Sequence, residues 1–308
     1  MQRITIETLA ELYEAFARDC YRRDDGSATG EHVNVQYAMK DLVSFMGQED
    51  VTELRPLRVT EFRSRLIARR LARTTINKRM AIIRRALRWA VQMELIDGSV
   101  LATFSAIEPL RAGRHGAKEP RPKTAVDLED IEATLREIES PQVRAMIRLQ
   151  ALTGMRPGEV LMMRGRDIHV ENGQWMYHPR RHKTEHHGKP RVIPLGPKAR
   201  TIIADFLVGR DPDRYLFSPL DAPGPKGRRK ADHYSVSGYR SVIQRACDMA
   251  GVERWSPNQL RHTAATQIGE LYGAEAVQAV PGHAKLETSR IYDHSQFQVA
   301  LRIMEEIG

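Results

Sequence analysis

The chain has 308 residues, of which 41% are hydrophobic, 28% charged and 6% aromatic. That is enough for two packed domains and suits a helix-rich soluble protein better than an all-β one. A formal net charge of +9 and a pI near 9.7 point to a polyanionic partner, nucleic acid ahead of an anionic membrane. No apolar run approaches the ~20 residues that span a bilayer, Met1–Ala10 has no basic stretch leading into an apolar one, and the two cysteines, Cys20 and Cys247, lie far apart. The expectation is a reduced, cytoplasmic protein that is not bound to a membrane and whose thiols are structural.

Residues 1–110 read as helices. Ile4–Arg22 carries Leu9, Leu12, Phe16 and Cys20 at helical spacing, and Val33–Phe45 and Val59–Leu71 follow in the same manner. Thr75–Ile96 is the clearest, with Ile76, Met80, Ile83, Leu87 and Val91 spaced by three or four, while Pro56 and Asp97-Gly98 punctuate the set. Between Arg63 and Trp89 there are ten Lys or Arg residues and no acid. Lys78, Arg79, Arg84, Arg85 and Arg88 avoid the main apolar positions of the last helix, so they form either a solvated face or a stripe that neutralises backbone phosphates. The absence of any balancing acid favours the phosphate contacts.

Residues 111–123, RAGRHGAKEPRPK, hold two glycines, two prolines, five basic residues and no periodicity. They are expected to form an exposed basic linker, with the domain boundary there. Residues 124–308 mix helix and strand. Asp127 starts a helix to about Ile138, Gln142–Leu152 is apolar and ends at Gly154, and Pro157 suits the first turn of a short helix. Trp175–His178 and Arg191–Leu195 are predicted to pair as a hairpin with a polar, basic connection. Ala199–Leu207 returns to helix, Asp221–Asp232 is a loop, and Tyr239–Ala250, Pro257–Leu271 and Ala274–Val280 are helical. The tail from Phe297 to Ile307 sets Phe297, Ala300, Leu301 and Met304 on one face. The fold class is therefore mainly α with a small β-sheet.

Four segments of this second half stand out. Thr153-Gly154-Met155-Arg156-Pro157-Gly158-Glu159 puts an arginine at a tight junction between helices, with a glutamate three residues on. His182-Lys183-Thr184 lies in the basic connection of the hairpin. Ser256-Pro257-Asn258-Gln259-Leu260-Arg261-His262 opens a helix, with Ser256 as its cap. Gly282-His283 is followed nine residues later by Tyr292. Each alone occurs by chance. In this order and spacing, from about Lys123 to the end, they resemble the catalytic boxes of the tyrosine recombinase (phage integrase) family, and the helical, basic first part looks more weakly like its DNA core-binding domain.

The resemblance implies an enzyme that cuts and rejoins DNA through a 3′-phosphotyrosyl intermediate, with Tyr292 as nucleophile, Lys183 as general acid, His283 bonded to the phosphate or the tyrosine oxygen, and Glu159 maintaining the architecture. The chemistry suits the residue types: the two forked guanidiniums of Arg156 and Arg261 can clamp the oxygens of a phosphate whose charge grows in the transition state. Bond energy is kept in the ester, so no cofactor and no metal is implied. His178, His182, His186 and His187 lack a ligand-like spacing. Lys189 shares the basic connection with Lys183; Lys189 and Arg191 read as phosphate contacts.

Asn258 departs from the family pattern, which has histidine there. Asparagine can donate a hydrogen bond to a phosphate oxygen but cannot shuttle a proton. The enzyme either works with Asn258 as a neutral contact, the favoured reading, or is a cleavage-impaired DNA-binding relative. The likeness further implies double-stranded DNA as partner, integration or excision of a mobile element, and a homotetramer on DNA, with the C-terminal helix docking on a neighbouring subunit or packing on its own domain.

Overall fold

The computed structural model describes residues 3–22, 26–180, 191–221, 231–273, 276 and 294–308. The chain divides into two compact units, Met1–Pro122 and Lys123–Gly308.

Among the described residues, the first unit contains the α-helices α1 (Ile6–Cys20), α2 (Glu31–Met46), α3 (Pro56–Ala68), α4 (Arg73–Gln92) and α5 (Gly98–Ser105). Thr5 caps α1 by accepting from the Thr8 N–H at 3.1 Å. The buried face of α1 is Ile6, Leu9, Ala10, Tyr13 and Ala17. It corrects the expected face: only Leu9 is shared, and Leu12, Phe16 and Cys20 are exposed. Two apolar stripes overlap on this helix, and the stripe with small Ala10 and Ala17 permits close packing on α2. On α4 the expected Ile76, Met80, Ile83 and Leu87 are buried, joined by Ile82, Ala86 and Ala90. Pro56 is the first residue of α3 rather than a break, where its missing N–H costs nothing. Asp97 likewise caps an unexpected helix, accepting from the Ser99 N–H at 2.8 Å.

The stretch after α5 folds back on this unit. Asn77 brackets Leu110, donating to its carbonyl and accepting from its N–H, both at 2.9 Å. The Arg73 N–H donates to the Lys118 carbonyl at 2.8 Å, and its guanidinium pairs with Glu119 at 3.0 Å.

The second unit contains α6 (Leu128–Arg136), α7 (Pro141–Thr153), α8 (Pro157–Leu161), β1 (Ile168–Glu171), β2 (Gln174–Tyr177), β3 (Ile193–Leu195), α9 (Pro197–Leu207), α10 (Val236–Ala250), α11 (Pro257–Tyr272) and α12 (His294–Ile307). Helix α7 packs on α11, and α10 on α6, around a core that includes Met146, Ile147, Leu149, Tyr239, Ile243 and Leu260. The strands form an antiparallel sheet in the order β1-β2-β3, with Ile168 opposite Tyr177 and Tyr177 opposite Ile193. The expected β2–β3 pairing is present. Strand β1 was not expected, although Asn172-Gly173 signals it: both residues have positive φ, +51° and +76°, the requirement of a two-residue type I′ hairpin.

Helix α12 lies against β3 and α9 of its own unit. Its approach is close at Gly196, where a Cβ would sit 1.7 Å from the Met304 carbonyl oxygen. The Gly308 carbonyl accepts from the Lys198 N–H, and the Tyr272 hydroxyl donates to Glu306 at 2.8 Å. No described helix is long and apolar enough to cross a membrane.

Candidate active site

The site grows from the end of α7. Gly154 stops that helix in the left-handed region, φ +63°, where a side chain would be strained. The chain then passes in extended backbone through Arg156 into α8, whose first helical residue is Pro157. The carboxylate of Glu159 returns to this junction. Its Oε2 accepts from the Arg156 N–H at 2.6 Å and its Oε1 from Arg156 Nη1 at 2.9 Å. One buried acid therefore caps the helix and orients the guanidinium. The hydroxyl of Tyr177, fully buried on β2, donates to the Glu159 carbonyl at 2.8 Å. Burial, with the acids Asp167 and Glu159 adding to it, pushes the Tyr177 pKa well up, so the hydroxyl keeps its proton.

Arg261 arrives from α11. That helix begins at Ser256, whose N–H donates to the side chain of Gln259 at 3.0 Å, the returning half of a capping box. Gln259 also donates to the Thr124 carbonyl at 3.3 Å, and Thr263 accepts from the Val126 N–H at 2.8 Å, so the start of the unit is tied to this helix. One turn in, Arg261 is 7% exposed and its Nη1 donates to the Gly154 carbonyl at 2.8 Å. Its pKa is pushed down to about 10, first by burial and then by the neighbouring cations Arg156 and Arg191; Glu159 opposes the shift. It remains charged at neutral pH.

Arg191 is the residue whose place the sequence reading missed. It was expected as a phosphate contact at the first position of the strand Arg191–Leu195. Its side chain is 9% exposed, with Nε 3.7 Å from Glu159 Oε1. The overlooked signal is alternation: Arg191, Ile193 and Leu195 share one face of an extended segment, and Ile193 and Leu195 are core residues. Arg156, Arg191 and Arg261 thus gather around the carboxylate of Glu159, so guanidiniums predominate among the described residues of this locus. Such a site fits a phosphodiester. Asn258, at the second position of α11, is exposed, and its side chain makes no hydrogen bond to another described residue. Lys183, Lys189, His283 and Tyr292 lie outside the described residues, as do His182, His186 and His187. Among the described residues no group of three His, Cys, Asp or Glu is arranged to hold a metal ion.

Residues 124–299 match the phage integrase family. This chain belongs to that family. It is a tyrosine-type site-specific recombinase, an enzyme that breaks and rejoins DNA. The tyrosine recombinase XerC of Corynebacterium efficiens is 28% identical over 265 residues, covering 83% of this chain and 79% of its own. The tyrosine recombinase XerD of Ralstonia nicotianae is 26% identical over 225 residues, covering 72% and 69%. The recombinase fold recurs in a lambda integrase tetramer bound to a Holliday junction, with a TM-score of 0.68 at 15% identity over 94% of this chain and 80% of that one. It recurs also in the Tn1549 transposon integrase in complex with circular intermediate DNA, with a TM-score of 0.63 at 15% identity over 96% and 99%.

The basic stripe of the recombinase's first unit differs from its linear picture. Two acids of α2 meet it. Glu31 pairs with Arg85 and lies 3.6 Å from Lys78, and Asp41 lies 3.0 Å from Arg79 and 2.7 Å from Arg69. Arg84 is half-buried and donates to the Ile107 carbonyl at 3.3 Å, whereas Arg88 is exposed.

Proposed function

We propose that this recombinase cuts each DNA strand with the Tyr292 hydroxyl, joining its oxygen to the scissile phosphorus as the P–O5′ bond breaks. The reading is carried by the arginine locus: Arg156 and Arg261, far apart in sequence, converge with the buried Glu159 on one anion-binding site. The two guanidiniums hold the non-bridging oxygens, which gain charge as the phenolic oxygen attacks. A free phenol ionises near pH ~10, so neighbouring cations are needed to favour its loss of a proton. Lys183 protonates the departing O5′, and His283 bonds the phosphate or the tyrosine oxygen. Asn258, exposed one turn before Arg261 on α11, donates to a phosphate oxygen without moving a proton. Attack of a second strand's 5′-hydroxyl on the phosphotyrosine reverses the step and restores the tyrosine, so neither a cofactor nor a metal enters the balance.

Integration or excision of a mobile element is the proposed role. The solved relatives include a lambda integrase tetramer on a Holliday junction and a transposon integrase on circular intermediate DNA, and a tetramer on DNA is the proposed working form here. The first unit is the core-binding part, with Lys78 and Arg88 as exposed phosphate contacts, Arg85 as a half-buried one paired with Glu31, and Arg79 and Arg84 closer to the protein surface. Lys189 is assigned as a further phosphate contact. In the tetramer α12 exchanges its own β3–α9 surface for that of a neighbouring subunit.

Covalent capture tests the reading. Nicked DNA from the flanks of the gene is incubated with the protein, denatured, and analysed for an adduct by gel and mass spectrometry. The expected result is an adduct at Tyr292 that Tyr292→Phe abolishes while DNA binding persists. An adduct on another residue removes Tyr292 from its role. DNA binding with no adduct would favour the second reading, a cleavage-impaired relative, which rests on Asn258 standing where a proton-shuttling histidine is expected.

A further inference from the structure

Gln150 lies in the last turn of α7, on the face of the core residues Met146 and Ile147, and it is fully buried. An apolar side chain would serve the helix there, because burying an amide is costly unless its hydrogen bonds are replaced. The amide instead reaches past the helix end, where its Nε2 donates to the Met155 carbonyl at 2.9 Å. A peptide unit is planar, so holding both its carbonyl and its N–H fixes its plane. The Met155–Arg156 unit is held at the carbonyl by Gln150 and at the N–H by Glu159 Oε2, at 2.6 Å. The preceding unit, Gly154–Met155, is held at the carbonyl by Arg261 Nη1 at 2.8 Å and at the N–H by the Thr153 hydroxyl at 3.4 Å. Two successive planes are thus each held at both ends. Thr153, Glu159 and Arg261 belong to the segments that stand out in the sequence, whereas Gln150 lies outside them.

We infer that Gln150 is a positioning residue for strand cleavage: by holding the carbonyl end of the Met155–Arg156 peptide, it sets the direction in which the Arg156 side chain leaves the junction toward the scissile phosphate. With that end free, the plane can turn about its bond to Glu159, and the Arg156–Glu159 pair moves with it. A misplacement of about 1 Å at a reacting centre costs roughly 10²-fold in rate, even when its source does not touch the substrate. The inference rests on the phosphotyrosine reading above, in which Arg156 holds a non-bridging oxygen, and Gln150 acts only through that arginine.

The test is single-turnover covalent capture on nicked DNA, with DNA affinity and the unfolding midpoint measured for each protein. Gln150→Met keeps the length of the side chain and removes the donor. It should slow capture by about 10- to 100-fold, with DNA affinity within about 3-fold of wild type. Gln142→Met removes a second buried amide from α7, at the other end of the helix, and should leave the rate within about 3-fold of wild type. The deciding readout is a double-mutant cycle with Arg156→Lys. Lysine carries a point charge on a flexible stem and does not keep the direction that the peptide sets. Adding Gln150→Met to Arg156→Lys should therefore slow capture by less than about 3-fold more. Losses that multiply in the cycle overturn the inference. So does a Gln142→Met protein as slow as Gln150→Met, or a folded Gln150→Met protein as fast as wild type. Gln150→Leu, run alongside in case the methionine variant folds poorly, carries the same expectations and the same overturning results. Failure of the wild-type protein to form any adduct would overturn the phosphotyrosine reading, and this inference with it; a wild-type adduct with an unaffected Gln150 variant overturns this inference alone.

Discussion

Arg261 follows Gly154 by 107 positions, yet its Nη1 donates to the Gly154 carbonyl oxygen at 2.8 Å. The left-handed turn at Gly154 ends α7, and its carbonyl becomes the point on which a buried guanidinium is fixed. One nitrogen holds the protein while the rest of the planar fork is set in direction. Lysine has no such fork. Arg261→Lys should therefore reduce cleavage by roughly 10²- to 10³-fold, the loss expected when a preorganised donor is removed from a developing anion. Single-turnover capture, with the unfolding midpoint measured in parallel, separates this from a folding defect.

The bond from Tyr177 to the Glu159 carbonyl ties β2 to α8 beneath the same site. Tyr177→Phe deletes only this donor and leaves the ring in the core. It should cost about 1 kcal/mol of stability, the usual net worth of such a bond. Denaturant unfolding of the two proteins gives the difference, and a loss near zero would mean that Glu159 is held by its arginines alone.

Glu31 limits the charge that the first unit can offer to DNA. Burial works against its ionisation, but Arg85, Asn34 and Lys78 together hold its carboxyl below the ordinary value of 4.5. Its folded pKa being depressed, the stability it contributes is present above pH 4.5 and is lost as pH falls through the lower folded value. Glu31→Gln should remove that part of the acid unfolding limb. The same variant releases Lys78 and Arg85, so DNA binding should tighten at low salt, and each extra phosphate neutralised should steepen the log–log salt slope by roughly 0.9. Binding titrations across a salt series check this; an unchanged slope would exclude both residues as phosphate contacts.

Gly196 is required by proximity rather than by conformation. Its φ of −74° is open to any residue, but a methyl group there would meet the Met304 carbonyl oxygen at 1.7 Å, and backbone cannot yield as a flexible side chain can. Gly196→Ala should lift α12 from β3 and α9. The expected readouts are faster proteolysis within residues 294–308 and a lower unfolding midpoint. A variant as resistant as wild type would show that α12 can shift without leaving.

The order and spacing of Arg156, Glu159, Asn258 and Arg261 were legible in the sequence, as were the helical character of both halves and the β2–β3 pair. These features follow from local physics: apolar spacing at three and four, a glycine ending a helix, prolines opening one, and a motif whose residue types answer the charge of a phosphodiester. Tertiary packing decided the rest. It selected Tyr13 and Ala17 over Leu12 and Phe16 on α1, because the overlapping stripes are equivalent until a neighbouring helix is present. It brought Glu31 and Asp41 onto a stripe that contains no acid in linear sequence, because Coulomb pairing follows distance in space and not along the chain. It also turned the side chain of Arg191, at the start of the segment that leads into β3, into the arginine locus, because a strand's inward face is fixed by register with its partner, and register is a property of two segments that one segment alone does not hold.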